Sequence, residues 1–185
     1  MSFPALAGIG FAPYHSLMVS ALSKVRTARA NDAEGIALVH DAAWREAYRG
    51  IIPGRELERM IARRGPRWWE RAIRRGSNIL VLDFGEQIAG YATYGRNRIR
   101  HTPYRGEIFE LYLAPEYQGL GFGRELFRAA RADLHRYGCD SAIVWALADN
   151  ARAVSFYERL GGRILRKAPE IFGAEVRERV AFAFE

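Results

Sequence analysis

The sequence predicts a single α/β domain, on three observations. The chain has 185 residues, 49% of them hydrophobic. A hairpin pattern of two apolar runs occupies residues 79–94, and two strand-turn-helix units follow side by side between residues 107 and 162. That length and apolar content suffice for one well-formed core and fall short of two ordinary domains. No stretch approaches the roughly 18 consecutive apolar residues of a membrane helix, because charges recur along the chain. A soluble protein with no membrane partner is the expectation.

No Lys or Arg precedes Lys24, so the positive n-region of a secretory signal is missing and export is not expected. Residues 1–23 read as a loosely ordered N-terminal extension, with Met18 as an alternative start, and residues 24–185 as the folded domain. The single cysteine, Cys139, excludes an intramolecular disulfide, and no Cys/His spacing suggests a zinc site. The expected setting is reducing and cytoplasmic, without a metal. Cys139, between a helix end and an apolar strand, reads as a small buried hydrophobe.

In chain order, Val25 to Ala28 reads as a first strand, and Asn31 or Asp32 can cap a helix through Ile36, Val39, Trp44 and Tyr48 that ends at Gly50 and Pro53. A helical stretch from Arg55 to Arg75 is broken near Gly65-Pro66, since proline opens a helix but does not sit inside one. Ile79–Asp83 and Gln87–Tyr94, joined through Phe84-Gly85-Glu86, read as an antiparallel hairpin. In the strand Glu107–Leu113, strict alternation puts Ile108, Glu110 and Tyr112 on one face and Phe109, Leu111 and Leu113 on the other. Leu126, Phe127, Ala130, Leu134 and Tyr137 form a helical stripe closed by Gly138. Ala142–Leu147 is a wholly apolar strand. Asn150 can cap a helix bearing Ala153, Phe156, Tyr157 and Leu160, and strands near Arg163–Lys167 and Glu178–Phe184 close the chain.

The chemistry concentrates in Gln118-Gly119-Leu120-Gly121-Phe122-Gly123, where three glycines alternate between a strand and the strongest helix. Without side chains, backbone N–H groups at a helix N-terminus can approach an anion closely, and a phosphate or pyrophosphate is the natural occupant. A Walker loop would need Gly-Lys-Ser/Thr, but Arg124 and Glu125 follow Gly123. A dinucleotide fingerprint would need a third glycine where Arg124 stands. The pattern Gln/Arg-x-x-Gly-x-Gly/Ala is met by Gln118, Gly121 and Gly123.

On these residues the run from Glu110 to Leu126 resembles the acetyl-CoA motif of the GNAT superfamily of N-acetyltransferases, and Asn150 to Gly162 is similar to that family's second cofactor segment. The resemblance implies a single-domain GNAT fold over 24–185, with a mixed, mostly antiparallel sheet of six to seven strands and helices on both faces. It implies an acyl-CoA-dependent N-acetyltransferase with acetyl-CoA as co-substrate, contacted by Leu111, Leu113, Gln118, Gly119, Leu120, Gly121, Phe122, Gly123, Arg124, Asn150, Phe156 and Tyr157. Asn150 can equally act as a helix cap, and the two roles are compatible. The partner acceptor would be a primary amine of a small molecule or a protein, and a homodimer is left open.

Acetyl transfer to an amine needs a neutral amine, and an alkyl ammonium with a pKa near 10.4 must first lose a proton. Glu110, interrupting an apolar strand before the turn, is the candidate base, where the resemblance places a catalytic carboxylate; a structural pair with a nearby arginine is the alternative. The resemblance makes Tyr157 the group beside the departing sulfur. With pKa values of about 10 for tyrosine and about 8.5 for a thiol, full proton transfer is uphill by roughly 2 kcal/mol, so hydrogen-bond donation is the role expected. It also implies an oxyanion-binding N–H where the strand splays after Leu111 to Leu113. No Ser or Cys has an evident His/Asp partner, and His15, His40, His101 and His135 form no constellation, so direct attack in a ternary complex is expected.

Trp44, Tyr48, Trp68, Trp69 and Tyr104 are candidate acceptor-pocket walls, each also suited to the core. Net charge is +7, with Arg59, Arg63, Arg64, Arg67, Arg71, Arg74 and Arg75 on the second helical stretch and Arg96, Arg98, Arg100 and Arg105 in one loop. Such a charge suits a polyanionic co-substrate, and no nucleic-acid-binding signature accompanies it. A non-catalytic acyl-CoA-binding or sensing domain is the rival reading.

Overall fold

The computed structural model describes residues 23–185 apart from Glu86 and Arg100. The expected N-terminal extension, with Met18 and His15, lies outside the described residues except for Ser23, as do Glu86 of the hairpin turn and Arg100 of the arginine-bearing loop. Strand β1 (Lys24–Thr27) leads through a 3-10 turn (Ala30–Asp32) into helices α1 (Ala33–Tyr48), α2 (Gly54–Ala62) and α3 (Pro66–Arg74). There follow β2 (Ile79–Asp83), β3 (Ile88–Arg96), β4 (Gly106–Leu113), a 3-10 turn (Pro115–Tyr117), α4 (Phe122–Arg136), β5 (Ala142–Leu147), α5 (Ala151–Arg159), β6 (Arg163–Phe172) and β7 (Glu175–Phe184).

The strands form one sheet in the order β1-β2-β3-β4-β5-β7-β6. Among the described strands only β4 and β5 run parallel. This is the mixed, mostly antiparallel, single-domain sheet that the sequence predicts, with seven strands. Side-chain alternation assigns the two faces. Leu80 and Leu82 of β2 join Leu126 and Leu134 of α4 and Tyr157 of α5 in one core, while Ile79 and Val81 join Ile36 and Val39 of α1 and Trp69 of α3 in the other. These four of the five β2 residues are buried, as a strand covered on both faces requires. A third cluster, containing Trp44, Ile52, Leu57 and Leu147, lies under α2. Among the described residues no helix is long and apolar enough to cross a membrane.

The break at Gly65-Pro66 is present, with Pro66 opening α3 where a missing N–H costs nothing. Five local expectations are corrected. Asp32 does not cap α1: its carboxylate accepts from Arg29 N at 2.6 Å and pairs with Arg26, which the 3-10 turn brings within reach. Tyr137 falls at the C-cap of α4 and is exposed, one step past the stripe. Arg63 and Arg64 lie between α2 and α3 rather than on a helix, and Arg75 follows α3. The last two strands are longer than expected and form one hairpin turning at Gly173, whose φ is +64°. Most residues from 165 to 179 are exposed whatever their type, Leu165, Ile171 and Val176 included, so hydrophobicity there does not follow the strand period.

The fifth correction matters most for function. Thr93 pairs with Glu110 and Tyr94 with Ile108, so Phe109 is an extra residue, a β-bulge in β4. A bulge lets two successive side chains share a face. Ile108 therefore joins Leu111 and Leu113 in the α4-side core, and Phe109 comes to the α1–α3 side with Glu110 and Tyr112.

Candidate functional site

Strands β4 and β5 are paired only from Gly106↔Ala142 to Ile108↔Val144, although β4 runs on to Leu113 and β5 to Leu147. Beyond Ile108 the strands part. The expected splay is thus present but opens three residues earlier than Leu111, at the bulge that bends β4. The gap it leaves exposes backbone on β4. Ala114 N donates to Ala89 O of β3 at 2.9 Å, so the carbonyl of the same trans peptide, Leu113 O, points the opposite way, toward the gap. There Gln118 Nε2 donates to it at 3.1 Å.

The glycine-rich turn stands at one mouth of this gap. Gly119 and Gly121 have φ of +78° and +94°, a region that L side chains with a Cβ enter only at a cost. Among the described residues, none of the backbone N–H groups from Gly119 to Gly123 donates to a backbone carbonyl, while Arg124 N bonds Gly121 O at 3.0 Å. Five donors therefore gather at the start of α4, where the helix dipole adds partial positive charge. Arg124 is exposed beside them. Gly123 also allows close packing, since a Cβ there would stand 3.2 Å from the Phe156 ring of α5. Leu120, at the turn's tip, is 58% exposed. Gln118 Oε1 accepts from Arg152 Nη1, which also pairs with Glu46 of α1 at 2.7 Å. Asn150 caps α5, its Oδ1 accepting from Ala153 N at 3.1 Å.

On the α1–α3 side, Glu110 projects from β4 with 10% of its side chain exposed, hydrogen-bonded to Arg64. Burial pushes its carboxyl above the ordinary carboxylate range, against the opposing pull of Arg64. Tyr48, Tyr91 and Tyr112 all lie near enough to Glu110 to feel its charge. The hydroxyls of Tyr48 and Tyr112 lie 2.6 Å apart, and burial raises both phenols, that of Tyr48 to about 12. Tyr48 is close enough to Glu110 and to Tyr157 for charge on one to bear on the other. Tyr157 is buried among Phe127, Phe156, Phe182 and Phe184, and burial raises its phenol too. His40, behind Tyr91 with Nδ1 2.8 Å from its hydroxyl, is pushed down to about 3 by burial. That makes it a poor base, while Glu110 lines the cleft open to solvent.

An acidic group facing a solvent-connected cleft, a splayed strand pair and an anion-ready turn together suit a long phosphorylated co-substrate threaded through the sheet. The family model described as the acetyltransferase (GNAT) family matches residues 38–162. The chain belongs to the GNAT acetyltransferase family. The uncharacterized N-acetyltransferase YuaI of Bacillus subtilis is 29% identical over 154 residues, covering 83% of this chain and 88% of its own. A Mycobacterium tuberculosis protein designated a probable N-acetyltransferase is 30% identical over 142 residues, 74% of this chain and 77% of its own. The GNAT fold recurs in PaiA N-acetyltransferase from Thermoplasma acidophilum in complex with coenzyme A, with a TM-score of 0.66 at 18% identity over 85% of this chain and 97% of that one. It recurs also in yncA of Salmonella typhimurium with its cofactor acetyl-CoA, TM-score 0.63 at 18% identity, over 88% and 93%. The expected enzyme class, an acyl-CoA-dependent N-acetyltransferase, is borne out by this membership.

Leu111, Leu113, Phe122, Phe156 and Tyr157 share the core on the α4 side of the sheet, and Glu110 lies on the opposite face. Of the five aromatic pocket candidates, Trp68 and Trp69 line the cleft at Glu110, though Trp69 is fully buried; Trp44 and Tyr48 belong to the cluster under α2, and Tyr104 is not in the cleft. Thr93, whose Oγ1 lies 3.5 Å from Glu110 Oε2, and Tyr112 also neighbour Glu110. Thr93 carries no signal short of the strand register, whereas Tyr112, two residues from Glu110 on one strand, was legible by period.

Proposed function

We propose that this GNAT enzyme transfers the acetyl group of acetyl-CoA to a primary amine of a small molecule or protein, by direct attack at the β4/β5 splay. The observation that supports the reading is the splay itself: β4 and β5 are unpaired beyond Ile108, in a sheet whose opposite faces carry the packing of α4 and Glu110. The free N–H groups of Gly119–Gly123 bind the pyrophosphate, Arg124 adds charge, and the edges of Leu111 and Leu113 with the Phe156 ring line the path of the arm. Acetyl-CoA supplies the activated thioester carbonyl.

Glu110, directly or through a water, takes the proton that the amine nitrogen loses as its bond to the carbonyl carbon forms. As the carbon–sulfur bond breaks, Tyr157 donates a hydrogen bond to the leaving sulfur, which departs as the thiolate and takes its proton from water. Burial lifts Tyr157 further above a thiol than the free residues differ, so hydrogen-bond donation rather than full transfer is its part. A β4 N–H in the gap meets the charge developing on the carbonyl oxygen. A cytoplasmic setting, with its acetyl-CoA and its single unpaired Cys139, suits this chemistry.

The test is release of free CoA thiol across a panel of primary amines, by the chain and by its Tyr157→Phe variant. Amine-dependent thiol release is expected, reduced in the variant roughly tenfold or more by loss of one charge-assisted hydrogen bond. Saturable acetyl-CoA binding with no thiol release for any amine would instead mark a binding domain. An unchanged kcat in Tyr157→Phe would remove that hydroxyl from the mechanism. A second prediction concerns the turn: Gly121→Val places a β-branched residue at a φ of +94°, at a cost of roughly 1–2 kcal/mol or more. Calorimetric affinity for CoA is expected to fall about tenfold, and unaltered affinity would show that the phosphates sit elsewhere.

A further inference from the structure

The face of the sheet that carries Glu110 opens into a cleft of about 540 Å³, walled by Arg64, Trp68, Thr93, Arg96, Phe109 and Glu110 among others. Its size is that of a small-molecule site rather than a polymer groove. The charges in it are unequal. Arg64 is bound to Glu110. Arg98 is held at 2.6 Å by Glu107, which is almost fully buried, and its guanidinium stacks 4.3 Å over the Phe109 ring. Arg96 is exposed on the rim and has no carboxylate partner among the described residues. With Arg64 and Arg98 each matched by a glutamate, Arg96 leaves the cleft one positive charge in excess. Arg64 is also poised between two partners: its guanidinium lies 4.7 Å from the Trp68 ring and 32% of its side chain is exposed to the cleft.

A simple amine reaches such a cleft as a cation. It meets the excess positive charge and must displace Arg64 from Glu110 with nothing to offer the guanidinium in return. An amine that carries a carboxylate meets neither obstacle, because the guanidinium is a planar fork matched to a carboxylate. We infer that the acceptor is an amino acid or amino-acid-like amine whose carboxylate is received by Arg64 and Arg96, with an apolar or aromatic flank against Trp68 and Phe109. This rests on the acetyl-transfer reading above and names its substrate class. The exchange also prepares the base. While Arg64 rests on Glu110 it favours the ionised carboxylate and weakens its pull on a proton; when the acceptor's carboxylate draws Arg64 away, Glu110 becomes the stronger base with the amine in place. Arg64 is thus a positioning residue, acting through Glu110.

The test uses matched pairs of an amino acid and its decarboxylated amine, phenylalanine with phenethylamine and tyrosine with tyramine, read by CoA thiol release. The inference expects the carboxylate member of each pair to have the higher kcat/KM, by about tenfold or more. Arg96→Ala is expected to raise KM for phenylalanine and to lower it for phenethylamine, which no longer meets the excess positive charge. Arg64→Gln is expected to erase the discrimination and to move the acid limb of the kcat/KM profile to higher pH, a shift that a purely structural role would not produce. Binding of phenylalanine, followed by the tryptophan fluorescence of Trp68 and Trp69, gives a readout independent of turnover. Phenethylamine acetylated as well as phenylalanine, or Arg96→Ala acting equally on both, overturns the inference and leaves acetyl transfer intact. No thiol release with any amine, alongside saturable phenylalanine binding that Arg96→Ala weakens, overturns acetyl transfer and leaves the carboxylate site standing.

Discussion

Glu110→Gln is expected to lower kcat by about 10²–10⁴-fold, the span of a lost general base. The substitution keeps an acceptor for the Arg64 guanidinium and the same volume in a nearly closed position, so the fold is expected to survive. KM for acetyl-CoA should hold, because the anion-ready turn is on the other side of the splay. The pH profile gives the sharper signature. The working form is the ionised carboxylate, so activity climbs with pH as Glu110 loses its proton, with a midpoint above the ordinary value of about 4.3 because burial favours the neutral form. In Glu110→Gln that acid limb should vanish. The corresponding stability term has the opposite slope: a carboxyl raised in the folded state binds its proton more tightly there than in the unfolded chain, so it favours folding at low pH and that contribution is lost as pH rises through the folded pKa. Full turnover by the variant across the pH range would dismiss Glu110 as the base.

Trp69→Ala is expected to cost about 3–5 kcal/mol of stability, the range for emptying a large buried aromatic site. The indole is fully buried between α1, α3 and β3, with ring centroids 4.9 Å from both Trp68 and Tyr91 and 5.7 Å from His40. Against a total of about 5–15 kcal/mol that is a large share, and a melting point lower by roughly 6–20 °C should follow for a chain of this length. The loss reaches the site as well, since Trp68 and Trp69 flank the Arg64 guanidinium at 4.7 and 5.9 Å. A urea midpoint unmoved in the variant would show that α3 contributes little to the core.

Much of the fold was legible because its signals are local. A proline opening α3, glycines closing helices, the apolar run of β5 and the alternating glycines of the turn each act within a few residues. The turn was readable for the same reason: its chemistry needs positive φ and bare N–H groups at a helix start, and glycine spacing states that directly. The hairpin β6–β7 is less legible, because strands exposed over much of their length carry little hydrophobic alternation.

The sequence by itself determined the family, the one-domain α/β organisation, the anion-ready turn and the presence of an out-of-place carboxylate at Glu110. Only the tertiary structure decided which face each strand residue serves and what Glu110 meets. The bulge at Phe109 breaks the two-residue period at a position set by how β3 and β4 pair, and that pairing depends on residues more than ten apart in the chain. It separates Ile108 from Glu110, starts the splay at Ile108, and turns Phe109 toward the cleft. Arg64 finds Glu110 across 46 residues because α2 and α3 are packed over the sheet, a distance no local pattern spans.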